Sequence, residues 1–172
     1  EITTRLVGSE MCIRDRLYGE DFDYDKVHTY RRKLTDQVLD EEPIEAKPGA
    51  EELLKYLRKK GVRTAIATAG GVERSSSLLK RVGLYDYLDH IVSARQVAHG
   101  KPAPDVYLYA CSQLHVQPQE CYAVEDSPNG IHSAYSAGCK VFMVPDLTQP
   151  DAELEKFIYK KVESLVALKE YF

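Results

Sequence analysis

The apolar residues of the chain follow two spacings in turn, one typical of helices and one typical of buried strands. Helical spacing predicts helices over residues 24–39, 50–60, 73–82 and 106–114, and from 128 to a stop at Gly138. Short runs of small or branched apolar residues predict strands over 62–67, 90–93, 121–124 and 140–144. This alternation predicts an α/β fold with a Rossmann-like, doubly wound parallel sheet in three α/β/α layers. We expect the tail, residues 151–172, to pack on the sheet in short mixed segments.

Composition limits the classes of molecule that the protein could bind. The chain has 172 residues, 44% of them hydrophobic, and a net charge of -4. This size predicts one globular domain with a sizeable core. The scattered lysines and the acidic balance argue against nucleic acid as a partner. No apolar run is long enough to span a membrane and no signal pattern is present, so we expect no membrane partner and a cytoplasmic location.

Neither the cysteines nor the start of the chain supplies candidate functional residues. Four cysteines show no zinc-ligand spacing, and we expect Cys111, Cys121 and Cys139 to be buried free thiols. Residues 6–16 have neither a helical nor a strand period, and they resemble one translated reading frame of a transposon-end adapter used in sequencing libraries. Our hypothesis is that residues 1–16 are an artefact of that origin, which we exclude from the fold prediction.

Two adjacent carboxylates, Glu125 and Asp126, follow the apolar run 121–124. Ligands bind at the carboxyl ends of strands in open α/β sheets. Paired acids at such an end suit Mg²⁺, which takes hard oxygen ligands and completes its shell with waters and substrate phosphates. The alternative is that Asp126 or Ser127 only caps the helix that begins at Pro128. This stretch alone does not separate the two interpretations.

Two further segments could bind a phosphate. Thr68 ends a strand and is followed by Ala69 and two glycines, where a hydroxyl and backbone N–H groups can cradle an anion. Lys101 precedes two prolines that stiffen its loop, which suits a phosphate clamp. Taken singly, an ordinary turn at Thr68 and a solvated Lys101 are the favoured interpretations. Together with the acid pair, a hydroxyl and an ammonium at strand ends are the groups that phosphoryl transfer needs.

At these residues the sequence resembles the haloacid dehalogenase-like hydrolase superfamily, in the group that contains β-phosphoglucomutase and small phosphatases such as phosphoglycolate phosphatase. The segment Thr-Ala-Ile-Ala-Thr-Ala-Gly that ends at Gly70 resembles the second motif of the family. Gly-Lys-Pro-Ala-Pro-Asp around Lys101 resembles the third, and Val-Glu-Asp-Ser-Pro-Asn-Gly-Ile around Glu125 resembles the fourth. The resemblance covers residues 24–172.

The resemblance implies a role for each of these residues. Thr68 and Lys101 would be catalytic and, with Ala69, would bind the phosphate; Glu125 and Asp126 would bind Mg²⁺ or orient its water. Residues 17–45 would be the remnant of a helical cap, and residues 46–172 the hydrolase core. The partner would be a small phosphorylated metabolite, and we expect the parent protein to be a monomer.

One motif of the family is missing. No apolar strand ends in Asp-x-Asp-x-Thr, the segment that supplies the nucleophile and the acid/base aspartate. The run 21–25, Asp-Phe-Asp-Tyr-Asp, fits an acidic helix start better. We therefore expect a chain that lacks the nucleophile and its central strand, which lies between strands 62–67 and 121–124 in the family. Such a chain should be poorly stable and inactive.

The leading hypothesis is a fragment of a magnesium-dependent phosphatase or phosphosugar mutase that works through an aspartyl-phosphate. One alternative is a phosphoacceptor module of the receiver type, against which the late position of Glu125 and Asp126 argues. The other alternative is a non-catalytic pseudoenzyme or binding protein on the same fold. The upstream coding sequence would distinguish an enzyme from a pseudoenzyme.

Overall fold

The structure is a computed structural model that describes residues 23–41 and 43–172. The predicted artefact at 1–16 lies outside the described residues. The chain divides into two units, with the boundary between Ile44 and Glu45. The predicted limits of cap remnant and core remain predictions. None of the described helices has the length and apolar character needed to cross a membrane.

The first unit contains helix α1, Tyr24–Glu41. Asp23 caps this helix, because its Oδ1 accepts a hydrogen bond of 2.9 Å from the Lys26 amide. The sequence predicts an acidic helix start over the run 21–25, and the described residues 23–25 have this form. The apolar stripe that predicted the helix is exposed along its length, at Val27, Tyr30, Leu34 and Val38.

The second unit alternates helices and strands as predicted. Its helices are α2 (Ala50–Lys59), α3 (Val72–Arg81), α4 (Asp105–Leu114) and α5 (Pro128–Ser136). Its strands are β1 (Ala65–Thr68), β2 (His90–Ser93), β3 (Tyr122–Glu125), β4 (Lys140–Met143) and β5 (Lys160–Lys161). Strand β1 begins later than predicted, because the Val62 amide bonds to the Leu57 carbonyl and closes α2. Strand β5 was not predicted, since its two exposed lysines carry no apolar signal.

All strand pairs are parallel, and they form two sheets. One sheet is β1–β2 and the other is β3–β4–β5. Within residues 23–41 and 43–172, β1 pairs only with β2 and β3 only with β4, so each keeps one edge without a neighbouring strand. The central strand that the sequence predicts to be missing would lie between β1 and β3. Its absence stays a prediction, because residues 1–22 lie outside the described chain.

Helices cover both faces of the three-stranded sheet. Val141 and Met143 of β4 pack in a core cluster with Ile131 and Ala134 of α5. Phe142, between them, points to the opposite face and packs with α2 and the tail, through Leu53, Leu57, Val162 and Leu168. Successive strand residues alternate between faces, so these two clusters define the predicted three layers. The prediction that the tail packs on the sheet is also confirmed.

Helix α4 links the two sheets. It contacts β1 and β2 on one side and α5 on the other. Val106 and Ala110 pack with Val92 of β2, and Cys111 packs with Ala123 of β3. The loop that carries Lys101 leads directly into this helix, so the fold holds that loop beside the end of β3.

Candidate functional site

The centre of the site is the Glu125 carboxylate at the end of β3. Glu125 is buried, with 8% of its surface exposed. Its Oε1 accepts hydrogen bonds from Lys101 Nζ and from the Tyr107 hydroxyl. Its Oε2 accepts a longer bond of 3.3 Å from Ser127 Oγ. A buried carboxylate is tolerated only when such donors and an opposite charge replace water, and here both are present.

Lys101 is held in place from both neighbouring helices. Its side chain is 15% exposed. Ser133 Oγ of α5 donates to the Ala103 carbonyl at 2.6 Å, and Asp105 Oδ2 of α4 accepts the His99 amide at 3.1 Å. These bonds fix the loop on either side of Lys101. The ammonium therefore reaches Glu125 from a defined position.

The turn after β3 separates Asp126 from Ser127. Ser127 Oγ accepts the Gly130 amide at 3.2 Å and so caps α5. Asp126 is exposed, and its carboxylate makes no hydrogen bond or ion pair within residues 23–41 and 43–172. The capping interpretation is thus correct for Ser127, whereas the Asp126 carboxylate faces solvent. A Cβ at Gly130 would overlap the Glu125 carboxylate, so glycine is what lets α5 approach it.

Tyr107 is a member of the site that the sequence did not reveal. Its hydroxyl donates to Glu125, and its ring centroid lies 4.9 Å from Lys101 Nζ. Burial, followed by the nearby Glu125 charge, raises the pKa of Tyr107 well above its ordinary value of 10.0. The one available signal was a tyrosine on the apolar face of α4, since a buried tyrosine hydroxyl usually finds a partner.

Thr68 lies at the end of a different strand, β1. Its Oγ1 accepts the Gly70 amide at 3.0 Å, and Ala69 beside it is exposed. The buried Ser93, its register partner on β2, donates its hydroxyl to the Gly70 carbonyl. The described chain thus joins Lys101 directly to Glu125, whereas Thr68 shares no hydrogen bond with either.

The cysteines stand apart from these groups. Cys111, Cys121 and Cys139 are free, and the first and third are buried as predicted. Cys121 is half-buried, with its Sγ 3.6 Å from that of Cys111. Desolvation by burial raises the pKa of Cys121 to about 12, so this thiol is unreactive at neutral pH.

The sequence model of the haloacid dehalogenase-like hydrolases matches residues 1–138. The chain belongs to this family. The resemblance inferred from the three motifs is thereby confirmed.

The chain is also similar to individual proteins. The chain is 41% identical over 108 residues to hexitol phosphatase A of Escherichia coli, covering 63% of this chain and 50% of that protein. It is 32% identical over 150 residues to a phosphorylated carbohydrates phosphatase of Thermotoga maritima, covering 84% of this chain and 67% of the relative. The crystal structure of β-phosphoglucomutase from Clostridium difficile matches with a TM-score of 0.71 at 26% identity, over 95% of this chain and 74% of that one. The chain thus spans only half of the first relative.

The magnesium ion implied by the family resemblance can be tested against the donors present. Glu125 and Asp126 are carboxylates at a strand end, and their hard oxygens suit Mg²⁺. Asp126 is exposed, whereas both oxygens of Glu125 already accept hydrogen bonds. No third histidine, cysteine or acid joins them to form a metal-binding group in the described part of the chain. One or two carboxylates are the usual protein share of a magnesium shell, with waters and substrate phosphate completing it. The donor set therefore fits as a partial shell.

Proposed function

We propose that this chain is the core part of a magnesium-dependent phosphoryl-transfer enzyme, a phosphatase or phosphosugar mutase for a small phosphorylated metabolite. One observation carries the proposal: Lys101, from the third motif, meets Glu125, from the fourth, beside the exposed Asp126. Residues 106 to 123, which include most of α4, separate the third motif from the fourth, yet Lys101 and Glu125 meet at one strand end. Relatives named as phosphatases of hexitol phosphates and phosphorylated carbohydrates support the substrate class.

Each residue would have a distinct task. The Lys101 ammonium would neutralise the transferring phosphoryl group. The Thr68 hydroxyl accepts from Gly70 and keeps its own proton, so it could donate to a phosphate oxygen near the exposed Ala69. Asp126 would hold Mg²⁺ directly, and Glu125 would hold it or orient a bound water. The metal would supply charge neutralisation at the phosphate.

The nucleophile is the part that this sequence does not supply. An aspartyl-phosphate mechanism needs an aspartate at a strand end, and no Asp-x-Asp-x-Thr segment follows an apolar strand here. We therefore propose that the chain as given binds phosphate without turnover. The adapter origin of residues 1–16, a monomeric parent and a cytoplasmic location remain part of this proposal. Resequencing the locus without transposon-end chemistry tests the adapter hypothesis, which fails if the same codons return.

Phosphate binding tests the function in the chain itself. Calorimetric titration of the 172-residue chain with inorganic phosphate and Mg²⁺ should show saturable binding. Lys101→Met should abolish it, because the phosphate loses its cation. Lys140→Met removes an exposed lysine at the start of β4 and should leave binding unchanged.

The metal assignment needs its own pair of variants. Asp126→Asn should remove the part of phosphate affinity that depends on Mg²⁺, whereas Asp86→Asn, in the exposed turn before β2, should not. Circular dichroism checks that each variant is folded. Phosphate binding that survives Lys101→Met, or magnesium dependence that survives Asp126→Asn, would contradict the assignments.

A further inference from the structure

Tyr107 occupies an unusual place in the site. It lies in the first turn of α4, and its ring packs against the core clusters on both sides of that helix. Its hydroxyl and the Lys101 ammonium donate to the same atom, Glu125 Oε1. Among the described residues, the other oxygen of that carboxylate accepts one longer bond, from Ser127. Most of the hydrogen bonding to Glu125 thus falls on one oxygen that two different groups share.

Sharing one acceptor changes how firmly each donor is held. A hydroxyl that donates to a carboxylate draws off part of its negative charge, and the remaining bond to the second donor is weaker. Lys101 is therefore less completely neutralised by Glu125 than it would be in a simple buried pair. A lysine that must also bind a phosphate needs that reserve of positive charge.

We propose that Tyr107 is a positioning residue of the phosphate site, which holds Glu125 in place and keeps Lys101 available to an anion. This inference rests on the proposed function, because it concerns the availability of the same lysine. Without the hydroxyl, Glu125 Oε1 would keep Lys101 as its sole strong donor. The ammonium would then be bound more tightly to the carboxylate and would be less reactive toward other partners.

The reactivity of the Lys101 side chain measures how tightly Glu125 holds it. Acetic anhydride is attacked by the lysine nitrogen, so a nitrogen held more closely by Glu125 is acetylated more slowly, and mass spectrometry follows the reaction residue by residue. In the full chain, Tyr107→Phe should slow acetylation of Lys101 by a factor of about three to ten, the range that one hydrogen bond supplies. Lys140, in the same digest, serves as the internal standard.

Two controls separate positioning from a loss of packing. Tyr109→Phe removes a hydroxyl two residues away that makes no hydrogen bond within the described chain, and it should leave the Lys101 rate within about twofold. A loosened fold would accelerate acetylation, the opposite of the expected change. In a Glu125→Gln background, Tyr107→Phe should have no effect on the rate, because the shared charge is gone.

Adding inorganic phosphate with Mg²⁺ distinguishes a failure of the proposed function from a failure of the inference on Tyr107. Phosphate should protect Lys101 in the parent chain, and about three- to tenfold more phosphate should be needed in Tyr107→Phe. If phosphate does not protect Lys101 in the parent, the proposed function and this inference fall together. If phosphate protects the parent but Tyr107→Phe leaves the acetylation rate unchanged or faster, the inference on Tyr107 alone is overturned.

Discussion

The carboxyl ends of β3 and β1 carry two halves of the site and are built differently. At β3, Glu125 is buried and receives three side-chain donors, and an adjacent helix residue must be glycine to make room. At β1, the half-buried Thr68 receives one backbone amide from its own loop. Lys101 and Tyr107 reach Glu125 from 24 and 18 residues away in the sequence. The Thr68 hydroxyl bonds to an amide two residues away, although Ser93 of β2 holds the carbonyl of the same loop. We expect the Glu125 contacts to depend on tertiary structure and the Thr68 hydrogen bond to depend mainly on local turn geometry.

The largest test of this contrast is Glu125→Ala. Removing one member of a buried ion pair leaves the other charge buried without a partner, so we expect a loss of about 3 kcal/mol in the free energy of unfolding. Urea denaturation followed by circular dichroism measures it. Glu153→Ala, which breaks the exposed pair with Lys156, is the matched control and should change stability little. Equal losses in the two variants would show that the β3 end is not a buried, coupled site.

The close approach of α5 gives the next largest effect. Gly130→Ala places a methyl group on the Glu125 carboxylate, and we expect it to cost about 2 kcal/mol of stability through overpacking. Gly100→Ala is the control, because its Cβ would make only an ordinary 3.7 Å contact with Ala94. A neutral Gly130→Ala would mean that Glu125 can move away without penalty.

Alkaline pH tests the Tyr107 contact. The pKa of Tyr107 is raised by burial and by Glu125, so the folded chain holds its proton after the unfolded chain has released it near pH 10. Stability from this group is present below pH 10 and is lost above it, by at most about 1.4 kcal/mol per pH unit. Urea denaturation at pH 9 to 11 should therefore show a shallower decline in Tyr107→Phe.

Any contribution from the cysteines is the same in the parent and in both tyrosine variants, because all of them retain Cys111, Cys121 and Cys139. Tyr109→Phe, the matched control, should decline as steeply as the parent. If stability declined equally steeply with pH in the parent and in Tyr107→Phe, the proposed coupling between Tyr107 and Glu125 would be contradicted.

The smallest expected effect lies at β1. Thr68→Val removes one hydrogen bond to the Gly70 amide and should lower stability by about 1 kcal/mol. Thr68→Ser keeps the hydroxyl and should restore most of it, as measured by the same denaturation. A loss as large as that of Glu125→Ala would mean that the β1 end is also built by long-range contacts.

The element order could be predicted because each element has a local signal. Strand β2 lies where the apolar run placed it, and α2, α3 and α4 lie within one residue of prediction at each end. Strand β5 lacked a signal, because Lys160 and Lys161 are exposed and pair with β4 only at its end. The family could be predicted as well, since three short motifs in order are specific and the family match confirms them.

The partners within the site could not be predicted in the same way. Thr68, Lys101, Glu125 and Asp126 stood out as residue types at strand and loop ends, but nothing local indicates that Glu125 turns inward while Asp126 faces solvent. Nor does any local pattern indicate that Tyr107 reaches Glu125, 18 residues away. That contact exists because α4 packs beside the end of β3.

By itself, the sequence determined the alternation of helices and strands, the three motifs and the chemical groups available for phosphate and metal. These depend on residue spacing and on backbone preferences, which act over a few neighbours. Only the tertiary structure decided that Lys101 and Tyr107 share one oxygen of Glu125 and that Asp126 remains exposed. Those outcomes depend on which elements the core brings together, because a buried charge is stabilised only by groups that packing delivers to it.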